Sequence, residues 1–149
     1  MRDEFLTYIR RSALSPARFA AALATCRFVV EGSSMEPALS EGQRLIIRRM
    51  NRGECFERGD IVVAHVPHFF DMDYVKRIIG LPGEHVRVRD GRVFISDQIL
   101  QEPYLDRAKR SSDALISQWV LADDEYLVLG DRRGDSVDSR RFGPLSREN

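Results

Sequence analysis

Length, composition and charge already narrow what this chain can be. Its 149 residues suffice for one domain with its own core, and 43% hydrophobic against 31% charged residues is the balance of a globular protein. Because 23 basic residues offset 23 acidic ones, no excess of positive charge points to a nucleic-acid partner. We expect no cofactor and no metal. Cys26 and Cys55 are not spaced as a metal motif, and His65 and His68 would face opposite sides of a strand.

In chain order, the first segment is charged and only weakly apolar. A helix that spans a membrane needs about 20 mainly apolar residues, whereas the longest uncharged stretch of residues 1–30 runs only from Phe19 to Cys26. The apolar residues between Phe5 and Phe28 instead predict an amphipathic helical arm over residues 1–27, broken near Pro16. Two placements stay open: packing on the protein itself, or lying in a membrane interface.

From residue 27 onward, the pattern is that of short β-strands. Runs rich in Val, Ile, Leu and aromatic residues cover 27–31, 43–49, 60–66, 74–79, 85–89, 92–96, 118–121 and 125–129. Asp90-Gly91 lies between two of these runs and is a strong hairpin signal. Many short strands separated by turn residues predict a mainly β fold over residues 28–149, a compact, curled, barrel-like antiparallel sheet.

Ser34 and Lys76 are the candidate reactive residues. A serine hydroxyl is a poor nucleophile until a base takes its proton, and a lysine is a base only when it is neutral. In a strand, period 2 places Tyr74, Lys76 and Ile78 on one mostly apolar face. Burial on that face would lower the pKa of Lys76 towards a useful range. Taken alone, the residue also fits a solvated lysine at a sheet edge.

The motifs around these two residues resemble those of the bacterial type I signal peptidases, Ser-Lys endopeptidases that remove signal peptides from exported proteins. The serine motif is Gly32-Ser33-Ser34-Met35-Glu36-Pro37-Ala38-Leu39, and the strand after it is Arg58-Gly59-Asp60-Ile61-Val62-Val63. The lysine motif is Tyr74-Val75-Lys76-Arg77-Ile78-Ile79-Gly80-Leu81-Pro82-Gly83-Glu84. The last motif is Gly130-Asp131-Arg132-Arg133-Gly134-Asp135-Ser136-Val137-Asp138-Ser139-Arg140. The resemblance covers roughly residues 28–145 and agrees with a β fold.

This resemblance implies a role for each catalytic residue. Ser34 is the nucleophile and Lys76 the general base. Ser136 is expected to hydrogen-bond the lysine, and Asp138 and Arg140 are expected to form an ion pair near the site.

The resemblance also implies how a substrate is held. The oxyanion needs the backbone N–H of Ser34 and a second donor, which in some relatives is a hydroxyl two residues before the nucleophile. That position is Gly32 here, so Ser33 or a backbone group would have to serve. We assign Gly32, Ser33, Met35 and Tyr74 to oxyanion and substrate binding. The partner is an extended precursor peptide with an Ala-x-Ala-like pattern, added along the edges at residues 30–32 and 73–75.

Two departures from the family pattern bear on this interpretation. Arg132 stands where the family usually has asparagine, and an extra cation close to Lys76 would depress the pKa of the lysine further. Family members usually carry spanning helices before the serine motif, and residues 1–30 do not predict one. The expected localisation is therefore peripheral, on the exported side of a membrane, with a soluble cytoplasmic protein as the alternative. The loop Val66-Pro67-His68-Phe69-Phe70 is either an exposed interaction tip or part of the core.

Four functions are carried forward, with the oligomeric state open. The first is a signal peptidase, and its close variant is a soluble maturation protease for one dedicated precursor. The third is a self-cleaving repressor of the Ser-Lys type. Such a protein needs a DNA-binding domain before the catalytic part, and residues 1–30 are too few to form one. The last is a non-catalytic binding module, which the joint presence of all five catalytic and supporting residues argues against.

Overall fold

A computed structural model of the chain describes residues 7–9, 27–49, 53–66, 69, 71–105 and 116–148. The strands are β1 (Thr7–Ile9), β2 (Arg27–Val29), β3 (Arg44–Ile46), β4 (Arg48–Arg49), β5 (Ile61–Val66), β6 (Met72–Gly80), β7 (His85–Arg89), β8 (Arg92–Ile95), β9 (Gln98–Ile99), β10 (Ser117–Val120), β11 (Glu125–Leu129) and β12 (Leu145–Ser146). A 3-10 turn covers Arg133–Asp135, and a short helix, α1, covers Ser139–Phe142.

These strands form three antiparallel sheets. The largest has the order β12-β11-β6-β5-β1-β4, the second the order β10-β7-β8-β9, and the smallest consists of β2 and β3. The mainly β, antiparallel fold predicted from the sequence is confirmed. Every predicted strand forms, with small shifts at the ends, and the run 43–49 is split at Ile47.

The β7–β8 hairpin turns at Asp90-Gly91, as the sequence predicts. The two turn residues have φ angles of 49° and 67°. Two consecutive left-handed residues match the twist of the flanking strands, and Asp-Gly adopts that conformation at low cost.

The predicted N-terminal helix is wrong for Thr7–Ile9, which forms strand β1. This strand pairs with β5 on one side and β4 on the other. A threonine, a tyrosine and an isoleucine in succession suit a strand, and pairing satisfies backbone groups that β5 would otherwise leave open on that side. The rest of the predicted arm, residues 1–6 and 10–26, lies outside the described residues, and so does Cys26.

The core consists of clusters on opposite faces of the central strands. Val62, Ala64 and Ile78 belong to a cluster that also holds Phe56, Tyr126 and Val128. Val63, on the other face of β5, packs with Val30, Met35, Leu39, Leu45 and Ile47. The alternation of side chains along β5 therefore fixes the β2–β3 ribbon to one face of the large sheet. A further cluster, formed largely by Ile79, Val86, Val93 and Leu127, lies between the large sheet and the four-stranded one.

Candidate active site

Strand β6 delivers Lys76 to the site. It lies opposite Val62 of β5, on the same face as Tyr74 and Ile78. The residue is only 3% exposed, and its Nζ lies 5.5 Å from the centroid of the Tyr74 ring. The predicted apolar setting of this lysine is thus present, and the alternative of a solvated lysine at a sheet edge is wrong.

The serine loop follows β2 directly. Val30 closes the β2–β3 ribbon through bonds to Gln43 and Gly42, and Gly32 then takes a φ of +77°, which a residue with a side chain rarely adopts. Beyond it, Met35 and Leu39 are buried in the core. Val30 on one side and the buried Met35 and Leu39 on the other hold the half-buried Ser34 in place.

Ser34 and Lys76 are in direct contact. The Lys76 Nζ lies 2.9 Å from the Ser34 Oγ and donates a second bond of 2.8 Å to the Val75 carbonyl oxygen. Burial lowers the pKa of Lys76 to about 8, while the charges of Asp138 and Asp131 act in the opposite direction. An amine with this pKa is neutral in a useful fraction near neutral pH, and it points at a hydroxyl that it can deprotonate.

Gly130 allows the loop after β11 to approach the serine closely. A Cβ at this position would lie 2.1 Å from the Ser136 Oγ and 2.7 Å from the Ser34 carbonyl oxygen. The Arg132 N–H donates to that same carbonyl over 2.9 Å. The backbone of this loop therefore fixes the backbone of Ser34. Gly130 is a residue of the candidate site that the last motif contains but the sequence reasoning did not single out.

Asp138 and Arg140 form the ion pair that the resemblance implies. The Asp138 carboxylate is fully buried and accepts bonds from the Arg140 Nε and a terminal nitrogen, both over 2.8 Å. It also accepts the Gly130 N–H over 3.0 Å. The pair thus fixes the backbone N–H of Gly130.

Ser136 does not make the hydrogen bond to the lysine that the resemblance implies. Its Oγ is buried and has no hydrogen-bond partner among the described residues. It lies against Gly130, while Lys76 directs its bonds to Ser34 and Val75. The expected Ser136–Lys76 bond is therefore wrong for this structure, although Ser136 is part of the site.

The residues assigned to oxyanion and substrate binding lie in different environments. The Ser33 Oγ donates to Asp135 over 3.0 Å, and the Met35 side chain is buried in the core. The Tyr74 ring packs against Phe142 at a centroid distance of 5.8 Å. Because its side chain is buried, Met35 can contact a substrate only through its backbone.

Arg132 is paired with acidic side chains and does not act on Lys76. Its guanidinium pairs with Glu36 at 3.2 Å and lies 3.8 Å from Asp135. The charges that shift the pKa of Lys76 are those of Asp138 and Asp131. The positive charge of Arg132 is thus neutralised by two carboxylates, those of Glu36 and Asp135, on the loops next to Ser34.

The remaining sequence candidates lie away from the reactive pair. His65 bonds to Asp73 at 2.9 Å and to Asp71 at 3.1 Å. Cys55 is a free, exposed thiol. Phe69 packs in the core, 5.9 Å from the Phe142 ring, so this residue of the predicted loop tip is not exposed. Pro67, His68 and Phe70 lie outside the described residues. In the part of the chain that is described, no helix has the length and apolar character needed to cross a bilayer.

Comparison with known proteins identifies relatives of the whole β domain. The profile of one family, described as signal peptidase, peptidase S26, matches residues 9–149. A signal peptidase I of Bacillus licheniformis is 37% identical over 122 residues, which are 76% of this chain and 64% of that protein. A probable signal peptidase I-2 of Synechocystis is 40% identical over 126 residues, or 80% of this chain and 56% of the relative. The chain thus spans less than two thirds of the length of these relatives.

A solved structure supports the fold assignment. The crystal structure of a signal peptidase I from Enterococcus faecalis superimposes with a TM-score of 0.55 at 32% identity. The match covers 63% of this chain and 92% of the other.

Proposed function

Because the chain belongs to the signal peptidase family, peptidase S26, we propose that it is a serine endopeptidase that cleaves signal peptides from exported precursor proteins. Ser34 is the nucleophile and Lys76 the general base. The observation that carries this proposal is the 2.9 Å contact between the Ser34 Oγ and the Nζ of a buried lysine.

The first half of the reaction forms an acyl-enzyme. The Ser34 Oγ attacks the scissile carbonyl carbon, and its proton passes to the neutral Nζ of Lys76. When the tetrahedral intermediate collapses, the C–N bond breaks and the resulting ammonium returns the proton to the leaving amine. In the second half, the neutral Lys76 takes a proton from water and the hydroxide attacks the carbonyl carbon of the Ser34 ester. When this second tetrahedral intermediate collapses, the C–O bond to Ser34 breaks, the Lys76 ammonium returns the proton to the Ser34 Oγ, and the released peptide carries the new carboxylate.

Backbone N–H groups can hold the oxyanion. Among the described residues, neither the Ser34 N–H nor the Met35 N–H is used in a hydrogen bond. Two free donors at the nucleophile are the arrangement that stabilises a developing oxyanion. Ser33 is less suited to this role because its hydroxyl is bonded to Asp135.

The substrate fits as an added strand between two edges. Val30 directs its backbone groups to Gln43 and Gly42, so by alternation Val29 and Glu31 direct theirs away from β3. On the other side, β11 pairs only with the part of β6 from Arg77 to Gly80. Among the described residues, no strand pairs with residues 73–75 on that side, and an extended peptide can bond to both edges beside Ser34 and Lys76.

The test is cleavage of a leader peptide with an Ala-x-Ala pattern by the full chain. Ser34→Ala and Lys76→Arg should both abolish cleavage, since arginine keeps the charge but cannot be deprotonated in a protein. Ser40→Ala, an exposed serine near the nucleophile, serves as the matched control and should keep the parent's rate. Cleavage that survives in Lys76→Arg would refute the Ser-Lys mechanism.

Two further readouts belong to the same experiment. kcat/KM should rise with pH through about 8, the pKa of Lys76, because the base works only when neutral. Addition of anionic lipid vesicles tests the proposed placement at a membrane surface, and vesicle binding with faster cleavage supports it. Cleavage that is indifferent to vesicles, with no binding to them, favours the maturation protease.

A further inference from the structure

A buried network of charges lies behind the loop that fixes the nucleophile. Arg133 and Glu102 form an ion pair in which both side chains are only 2% exposed. Both terminal nitrogens of Arg133 bond the Glu102 carboxylate, so the pair is bidentate. Two charges removed from water in this way are tolerated only when they are well paired.

Tyr104 connects this pair to a second one. Its hydroxyl donates to the Glu102 Oε1 over 2.8 Å, and burial together with the Glu102 charge raises the pKa of the phenol, so it remains a donor. Its ring lies 4.1 Å from the Arg77 guanidinium. Arg77 in turn bonds the fully buried carboxylate of Asp131 over 2.8 and 2.6 Å.

Both ion pairs contact or include residues of the loop after β11, whose backbone holds Ser34. The Arg133 Nε donates to the Gly130 carbonyl oxygen over 3.1 Å, and Asp131 is the next residue along the chain. Gly130 is the residue that has no room for a Cβ beside Ser34. Arg77 also neighbours Lys76 in β6 and donates to the Gly59 carbonyl oxygen over 2.7 Å. The network therefore contacts the supports of both reactive residues.

Glu102 and Tyr104 belong to none of the motifs that carry the family resemblance, and neither touches Ser34 or Lys76. We infer that Glu102, with Tyr104, is a positioning residue for the Ser34–Lys76 pair, acting through Arg133 on the Gly130 backbone. This inference rests on the proposed function. Its physical basis is that a displacement of about 1 Å at a reacting group can cost about 100-fold in rate.

The test compares two carboxylates that each form a bidentate pair with an arginine. Glu102→Gln keeps the shape of the side chain but removes its charge. Glu84→Gln does the same to the Arg58–Glu84 pair, which lies outside the loops around the site. Tyr104→Phe is the milder variant, because it keeps the ring over Arg77 and removes only the bond to Glu102.

Two rates are measured at a temperature where each variant is folded by circular dichroism. The first is steady-state cleavage of the Ala-x-Ala leader peptide, and the second is labelling of Ser34 by a fluorophosphonate, which needs the reactive pair but not the peptide. For Glu102→Gln, we expect kcat and the labelling rate to fall about 10- to 100-fold with KM within about twofold. Tyr104→Phe should show a smaller fall, and Glu84→Gln should match the parent in both rates.

The outcomes separate this inference from the proposed function. If Glu102→Gln and Tyr104→Phe label and cleave like the parent, or if Glu84→Gln loses as much as Glu102→Gln, the positioning role is refuted. A change confined to KM refutes it too. A parent that is labelled at Ser34 but does not cleave the leader peptide refutes the proposed substrate only, since the labelling rates still decide the role of Glu102. A parent that is neither labelled nor active overturns both.

Discussion

Replacing Lys76 with methionine should abolish catalysis and yet stabilise the protein near neutral pH. The lysine is 3% exposed, and burial lowers its pKa from 10.5 to about 8. A lowered pKa means that the folded state disfavours the ammonium form relative to the unfolded chain. Methionine has a similar length and no charge, so it removes that penalty.

The size of the effect follows from the two pKa values of Lys76. Below pH 8 both the folded and the unfolded state bind the proton, and the cost of burying the ammonium is present in full, about 3 kcal/mol. Between pH 8 and 10.5 the folded state has released its proton while the unfolded state still binds it, so the parent gains stability as the pH rises. From pH 7 to pH 10 this gain amounts to about 2.5 kcal/mol.

Methionine also leaves the Ser34 hydroxyl and the Val75 carbonyl without the lysine donor, at a cost of about 1 kcal/mol for each bond. At pH 7 the net stabilisation in Lys76→Met is therefore about 1 to 2 kcal/mol. At pH 10 the variant should be slightly less stable than the parent. The two stability curves thus cross between these values.

Urea unfolding at intervals from pH 7 to pH 10, with the parent and the variant measured side by side, gives the difference directly. Other titrating groups cancel in that difference. Ser34→Ala is the control, because it removes one of the bonds but keeps the ammonium, and it should follow the parent's pH dependence. A constant gap between Lys76→Met and the parent across this range would refute the assignment of a buried lysine with a lowered pKa.

Three further experiments test the surroundings of Ser34 and Lys76. Gly130→Ala should lower kcat by about 100-fold in the peptide-cleavage assay, because its methyl group has no space; near-parental activity would contradict the close approach. Asp138→Asn removes the charge that most raises the pKa of Lys76, so the rise of kcat/KM should move to lower pH in the fraction that folds, and an upward shift would contradict it. Arg132→Ala and Glu36→Ala, combined in a double-mutant cycle by urea unfolding, should show a coupling below about 1 kcal/mol, since the pair is partly exposed; a larger value would mean that it is shielded from solvent.

The resemblance to the family motifs predicted that Ser34 and Lys76 act together, although they are 42 positions apart, whereas local signals predicted only the setting of each residue. The pleat of a strand places Lys76 beside Tyr74 and Ile78, and the serine motif carries its own turn. The β fold follows in the same way from short apolar runs and from the Asp90-Gly91 turn.

What the sequence could not predict depends on distant partners or on small displacements. Glu102 and Arg133 are separated by 31 positions, and each looks like an ordinary solvated charge in its own segment. The missing Ser136–Lys76 bond depends on how closely Ser136 packs on Gly130. Strand β1 was predicted as helix because its few residues fit an amphipathic pattern, whereas its pairing with β5 decides the structure.

Ser34 and Lys76 are carried by different sheets, and this arrangement predicts how the protein responds to heat. Ser34 lies in the loop that connects β2 to β3, and a two-stranded ribbon alone is marginally stable in water. The ribbon packs on the large sheet through the apolar cluster around Met35 and Val63. It is therefore expected to detach as a separate cooperative unit with a lower opening free energy than the six-stranded sheet. Activity should then decline on warming before the large sheet melts, with the amides of β2 and β3 exchanging with deuterium ahead of those of β5 and β6.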